Sequence, residues 1–204
     1  VTAVKAIIFG LAFFSLCQTA WAGEISSVYT DLDAERGCTT FAAAGEGEGD
    51  WANLVCTGYS GYPVIIYSAD LRESVFYGFP PAGDLAPTWE SFAAFNSAGP
   101  KIEWRVEMDG DRALPFATIH RWFVSNDPDS PEKKTEVLVV AKVGQIAERD
   151  GCAVGLVVAT GNPKANETAR KIADEQARDF ACGADERVLV SGDVPLPEFS
   201  RADQ

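Results

Sequence analysis

Cysteine placement constrains this chain more than any other feature. Five cysteines occur, at 17, 38, 56, 152 and 182, and the first lies inside an apolar run that opens the sequence. Residues 1–22 carry the three zones of a secretory signal peptide: Lys5 as the one charge, the apolar stretch 6–17, and Ala20-Trp21-Ala22 with the small residues a signal peptidase reads. The apolar run is shorter than the roughly 20 residues a transmembrane helix needs, and Gly23 and Glu24 follow at once. The expectation is cleavage after Ala22 and a periplasmic or secreted address. An uncleaved anchor, or lipidation at Cys17, is the competing reading, the latter weakened by the poor Ser15-Leu16 lead-in. Cys38, Cys56, Cys152 and Cys182 then remain, an even number that reads as two disulfides in an oxidising compartment.

Four cysteines allow three pairings, and element lengths choose among them. Residues 153–159 read as a strand about 23 Å long and residues 164–181 as a helix of about 26 Å. A helix packed back along that strand returns its end to the strand's beginning, so Cys182 meets Cys152 and Cys38 is left for Cys56. No C-x-x-C occurs and His120 is the single imidazole, so neither a redox pair nor a zinc site is expected.

The full chain of 204 residues has a net charge of -13, and loss of Lys5 with the leader takes it to -14. No cluster of Lys and Arg exists to neutralise phosphates, so a nucleic-acid partner is not expected, nor stable membrane insertion after cleavage. With 47% apolar residues the chain is ordinary globular material rather than a disordered tail.

Along the mature chain, residues 45–50 alternate Gly with Glu and Asp and read as an exposed loop between short strands at 38–41 and 54–57. Residues 62–68 and 73–79 are β-branched and aromatic and suggest an antiparallel pair. Residues 88–96 hold Trp89, Phe92, Ala93 and Phe95 at helix-like spacing, predicting a short helix. In residues 101–108, Ile102, Trp104, Val106 and Met108 alternate with Lys101, Glu103, Arg105 and Glu107, predicting a strand with one face buried and the other wet. Asp109-Gly110-Asp111 turns the chain back into a strand at 116–124, and 136–143 reads as a central strand. Asn162-Pro163 starts the long helix as N-cap and first residue, with Glu167/Lys171, Arg170/Asp174 and Asp174/Arg178 on its exposed face. A short strand at 187–190 precedes a Pro-rich tail, 191–204, expected to be loose. The fold class is α+β: one domain over 23–190, a mainly antiparallel sheet with one long C-terminal helix packed on it, and two disulfides.

Chemistry is harder to find. His120 sits inside a strand beside Ile119 and reads as a sheet residue with a satisfied ring, and there is no G-x-S-x-G elbow. Asp31, Asp33 and Glu35 begin an EF-hand spacing, but Arg36 replaces the turn glycine and Ala42 the closing Glu; Glu46, Glu48 and Asp50 fail at the same places. Phosphate-cradling motifs are absent, so no cofactor is expected, and the sequon at Asn166 falls within the helix. Trp51, Tyr59 and Tyr62 are the candidate binding surface, for stacking on cell-wall sugars.

The segments Lys101-Ile102-Glu103-Trp104-Arg105, Phe116-Ala117-Thr118, Arg121-Trp122-Phe123 and Ala169-Arg170-Lys171-Ile172-Ala173-Asp174 together resemble small exported proteins of Gram-negative bacteria that carry no assigned activity. The likeness spans about residues 27–183 and implies a periplasmic address with no catalytic residue to carry over. The expected function is a non-catalytic envelope protein that binds a protein or cell-wall component. The alternatives are an acidic inhibitor of a cationic enzyme such as a lysozyme, or a carboxylate-based hydrolase without a cofactor.

Overall fold

The computed structural model describes residues 23–81, 88–127, 129, 130 and 132–203, so the expected signal peptide lies outside the described residues. Twelve strands and one α-helix follow in the order β1 Ile25–Asp31, β2 Cys38–Ala43, β3 Trp51–Thr57, β4 Pro63–Ala69, β5 Arg72–Tyr77, β6 Thr88–Phe92, β7 Asn96–Asp109, β8 Arg112–Val124, β9 Thr135–Lys142, β10 Ala153–Val158, α1 Ala165–Gln176, β11 Val188–Val190 and β12 Phe199–Asp203. The main sheet has the order β1-β7-β8-β9-β10-β11; β2-β3-β4-β5 form a second sheet and β6 with β12 a two-stranded third. Every pairing between these strands is antiparallel except β10 with β11, where α1 supplies the crossover that parallel neighbours need.

Alternation in β7 sets up three layers. Ile102, Trp104 and Val106 point to one face and pack against Cys56, Val64, Ile66 and Tyr77 of the second sheet. Further along that face Trp122, Val124, Val137 and Val139 meet Phe92 and Phe199 of the β6–β12 pair. The opposite face carries Ile119, Leu138, Val140, Val154 and Val157 under Ala165, Ala169, Ile172 and Ala173 of α1. Small residues let helix and sheet approach closely: a Cβ on Gly155 would stand 2.8 Å from Ile172 Cγ2.

The disulfides join Cys38 to Cys56 and Cys152 to Cys182, the two pairs that the element lengths select. Cys38 lies directly opposite Cys56 in the β2–β3 register. The β7–β8 hairpin closes through Gly110, at φ 60°, and Asp111.

Four expectations are corrected. Residues 88–96 do not form a helix: Thr88–Phe92 is a strand lying between layers, with Phe92 against the main sheet and Trp89 against the second, so its apolar positions follow neither period. The helix is shorter than expected, 12 residues, and beyond the expected strand at its C-terminal side, β11, a further strand, β12, follows. Its start comes two residues late, although the Asn162 side-chain oxygen accepts the Lys164 N–H at 3.0 Å, as a capping residue does. The tail after Val190 is not loose, because β12 pairs with β6 from Phe199 to Asp203 and the Phe199 ring meets Phe92 edge-on at 4.9 Å.

The fourth correction concerns the polar face of β7. Glu103 and Arg105 are not wet but buried beneath α1, and Arg170, Asp174 and Arg178, each half-buried, turn toward them. Arg170 grips Glu103 with two bonds of 2.6 and 3.1 Å, Arg105 grips Asp174 with two of 2.8 and 2.7 Å, and Arg178 reaches Glu107 at 2.9 Å. Two residues along a strand advance about 6.8 Å and four along a helix about 6.0 Å. A Glu-Arg-Glu strand face therefore meets an Arg-Asp-Arg helix stripe rung for rung. Burial works to raise the Glu103 carboxyl, but the hydrogen bonds from Arg170 and Ser27 and the charges of Arg170 and Arg105 outweigh it and hold the pKa below its usual value.

Candidate functional site

The residues nominated from sequence do not converge. Trp51 begins β3, whereas Tyr59 and Tyr62 flank the turn after its far end, about 20 Å away along a seven-residue strand. Tyr59 packs toward Trp104 and Tyr62 is tied down by its hydroxyl to Gln145 Oε1 at 2.8 Å, so the three aromatics make no common stacking face. Of the calcium candidates, Asp31 is paired with Lys101 at 2.5 Å, while Asp33 accepts from the Glu35 and Arg36 backbone and from the Arg36 side chain. Glu48 accepts the Gly45 N–H at 3.0 Å and so braces its own loop.

His120 is fully buried at the layer interface. A carbonyl can only accept, so Nε2–H donates to Gly99 O at 2.6 Å and Nδ1 accepts the Tyr77 hydroxyl at 2.7 Å. Gly99 can supply its carbonyl because the β7–β8 register slips between Ala98 and Ile102. Burial lowers the imidazole to about 4 despite the Gly99 bond, and pushes the Tyr77 phenol well up. The ring is a neutral structural tie.

A groove of about 820 Å³ opens instead where the edge of the main sheet meets β12. Its floor is built around Glu90 of β6. The β10 register shifts between Ala153 and Gly155, and side chains take up the Ala153 main chain there. The Ala153 N–H donates to Glu90 Oε2 at 2.6 Å, and Arg187 Nε donates to the Ala153 carbonyl at 3.2 Å. Arg187 also holds Glu90 Oε1 at 2.7 Å, and Arg201 stands 3.7 Å from the same oxygen. The Arg187 guanidinium lies 5.2 Å from the Phe199 ring centre. Leu156, Phe180, Leu189, Leu196 and Phe199 give apolar walls, and exposed Asp185, Glu186 and Glu198 form an acidic rim. The Cys152–Cys182 bridge anchors the rim loop to the start of β10.

A smaller depression of about 330 Å³ lies at the β4–β5 hairpin tip, lined by Asp50, Asp70, Glu73 and Asn96 among others. The two turn residues, Asp70 and Leu71, take left-handed φ of 51° and 58°, strained for a leucine. Burial raises the Glu73 carboxyl, which accepts the Ala98 N–H at 2.7 Å.

Sequence reasoning missed Glu90, Arg187, Leu189 and Arg201. Glu90 fell within the expected helix and Arg201 within the tail set aside as loose. The one local signal was Val188-Leu189-Val190, an uncharged strand at the chain's acidic end.

The fold and groove define a class: a disulfide-braced protein of mainly antiparallel sheets with one short helix and an acid-rimmed groove with apolar walls at a sheet edge. Comparison of the chain with protein-family models, with curated proteins and with solved structures finds no match.

Proposed function

We propose that this chain is an exported, non-catalytic envelope protein whose leader is removed at Ala22, and that it binds a protein or cell-wall partner in the groove between β11 and β12. One observation carries the binding reading. The groove has apolar walls, and its partly buried carboxylate, Glu90, is taken up by Arg187, Arg201 and the Ala153 N–H, an arrangement for recognition. Two disulfides, and the absence among the described residues of a helix long and apolar enough to cross a membrane, are consistent with export. The resemblance to exported Gram-negative proteins without assigned activity points the same way. Intact mass of native material is expected to lack residues 1–22 and to show no free thiol; a retained leader or four thiols overturns the export reading. Oxidised mature protein on a resin is expected to retain an envelope component that Leu189→Lys releases, and equal retention by both moves the site elsewhere.

The acidic rim and the strongly negative chain favour a cationic enzyme such as a lysozyme as that partner. Inhibition that weakens steeply with salt is the expected result, and no effect at low salt ends this variant. The hydrolase alternative rests on the hairpin-tip depression, where Glu73 has the raised pKa a general acid needs beside two further carboxylates. Turnover of cell-wall glycan that Glu73→Gln abolishes would displace the binding reading.

A further inference from the structure

We propose that the partner is held through an extended, basic segment of its chain that adds to the outer edge of β11 as a seventh strand of the main sheet. This rests on the groove being the binding site. β11 ends the strand order, and among the described residues nothing pairs with its far side, which leaves alternate N–H and C=O groups of a sheet edge available. Strand edges are ordinarily blunted by charge, proline or a bulge. Val188-Leu189-Val190 contains none of these, though at three residues it is a short edge, whereas the outermost strand of the second sheet, β2, is bulged between Thr40 and Ala42.

β11 is the outermost strand of the main sheet that borders the groove; β6 and β12, the two strands of the third sheet, border it as well. Val188 and Val190 pack toward α1, so alternation turns Leu189 to the other side, where it lines the groove and is 61% exposed. A strand laid beside β11 keeps the same alternation, sending every second side chain over Leu189 and the apolar walls. The partner's charge follows from the mouth of the groove. Arg187 and Arg201 are turned down onto Glu90, whereas Asp185, Glu186 and Glu198 stand exposed at the rim, so lysine or arginine is the complement.

The test uses oxidised mature protein and a fluorescein-labelled hexapeptide alternating lysine and valine, followed by anisotropy. Binding is expected, weakening when salt rises from about 20 to about 300 mM, and slowing deuterium exchange at β11. Methylating alternate backbone nitrogens of the peptide, in both phases, should cost about tenfold or more in one phase and little in the other, because one set of N–H groups faces the sheet. Leu189→Lys should cost a similar factor, and a glutamate–valine peptide should not bind. Equal loss in both phases, or loss in neither, means side-chain capture without strand pairing and overturns the inference while leaving the groove reading in place. If no peptide binds but an envelope component is still released by Leu189→Lys, strand addition fails and the binding module stands; if that release fails as well, both fall.

Discussion

His120 shows how little a residue type says before its neighbours are known. It is the chain's one imidazole, yet burial and two committed nitrogens keep it neutral. The consequence is acid sensitivity. An unfolded histidine titrates near about 6.5, whereas the folded ring does so at about 4. Between those values the unfolded chain binds the extra proton, so the contribution is fully present above about pH 6.5 and is lost as pH falls toward 4, on the order of 3 kcal/mol in all. Glu73 acts in the opposite sense: raised by burial, its contribution is present at low pH and lost as pH rises through its folded value. Urea midpoints measured from pH 7 to pH 4 should fall steeply for the wild type and distinctly less for His120→Gln. Equal slopes would mean that the ring is not the titrating group. That His120 is a sheet residue was legible from its place in an apolar run; that Tyr77 and Gly99 are its partners was not, since they lie 43 and 21 residues away.

Elements are held in register by matched charge as well as by apolar contact. The three rungs between β7 and α1 bury Arg105 and Glu103 almost completely, and each depends on a partner about 70 residues along the chain. Removing one member of such a pair strands the other, so Asp174→Ala should cost about 2 to 4 kcal/mol in chemical denaturation. The double variant Arg105→Met with Asp174→Ala should cost less than the two single costs added, by about 1 to 3 kcal/mol; strict additivity would show that the rung carries no coupling. Periodicity made β7 legible as a strand but misread its polar side. A charged face reads as wet unless a complementary one exists, and the Arg170, Asp174, Arg178 stripe was itself read as solvent-facing for the same reason.

Across the whole molecule, the layer opposite α1 is assembled from pieces distant in sequence, of which β12 lies furthest along the chain. Phe199 covers Phe92, and Leu196 joins the same apolar cluster. Ending the chain at Pro195 should therefore lower stability by about 2 to 4 kcal/mol and expose surface that binds an apolar dye. A truncated protein that melts with the full chain would show that β12 is dispensable. What the amino-acid sequence determined unaided was local: strand alternation in β7, the two hairpins β4–β5 and β7–β8, the Asn162 turn into α1, and a disulfide pairing that follows from one strand and one helix of similar length. The tertiary structure decided which side of a strand is wet, whether 88–92 coils or extends, where the tail goes, and which four residues meet at the groove. Local backbone preference acts over a few residues, whereas burial depends on what arrives from elsewhere in the chain, and the groove exists only where β6, β10, β11 and β12 come together.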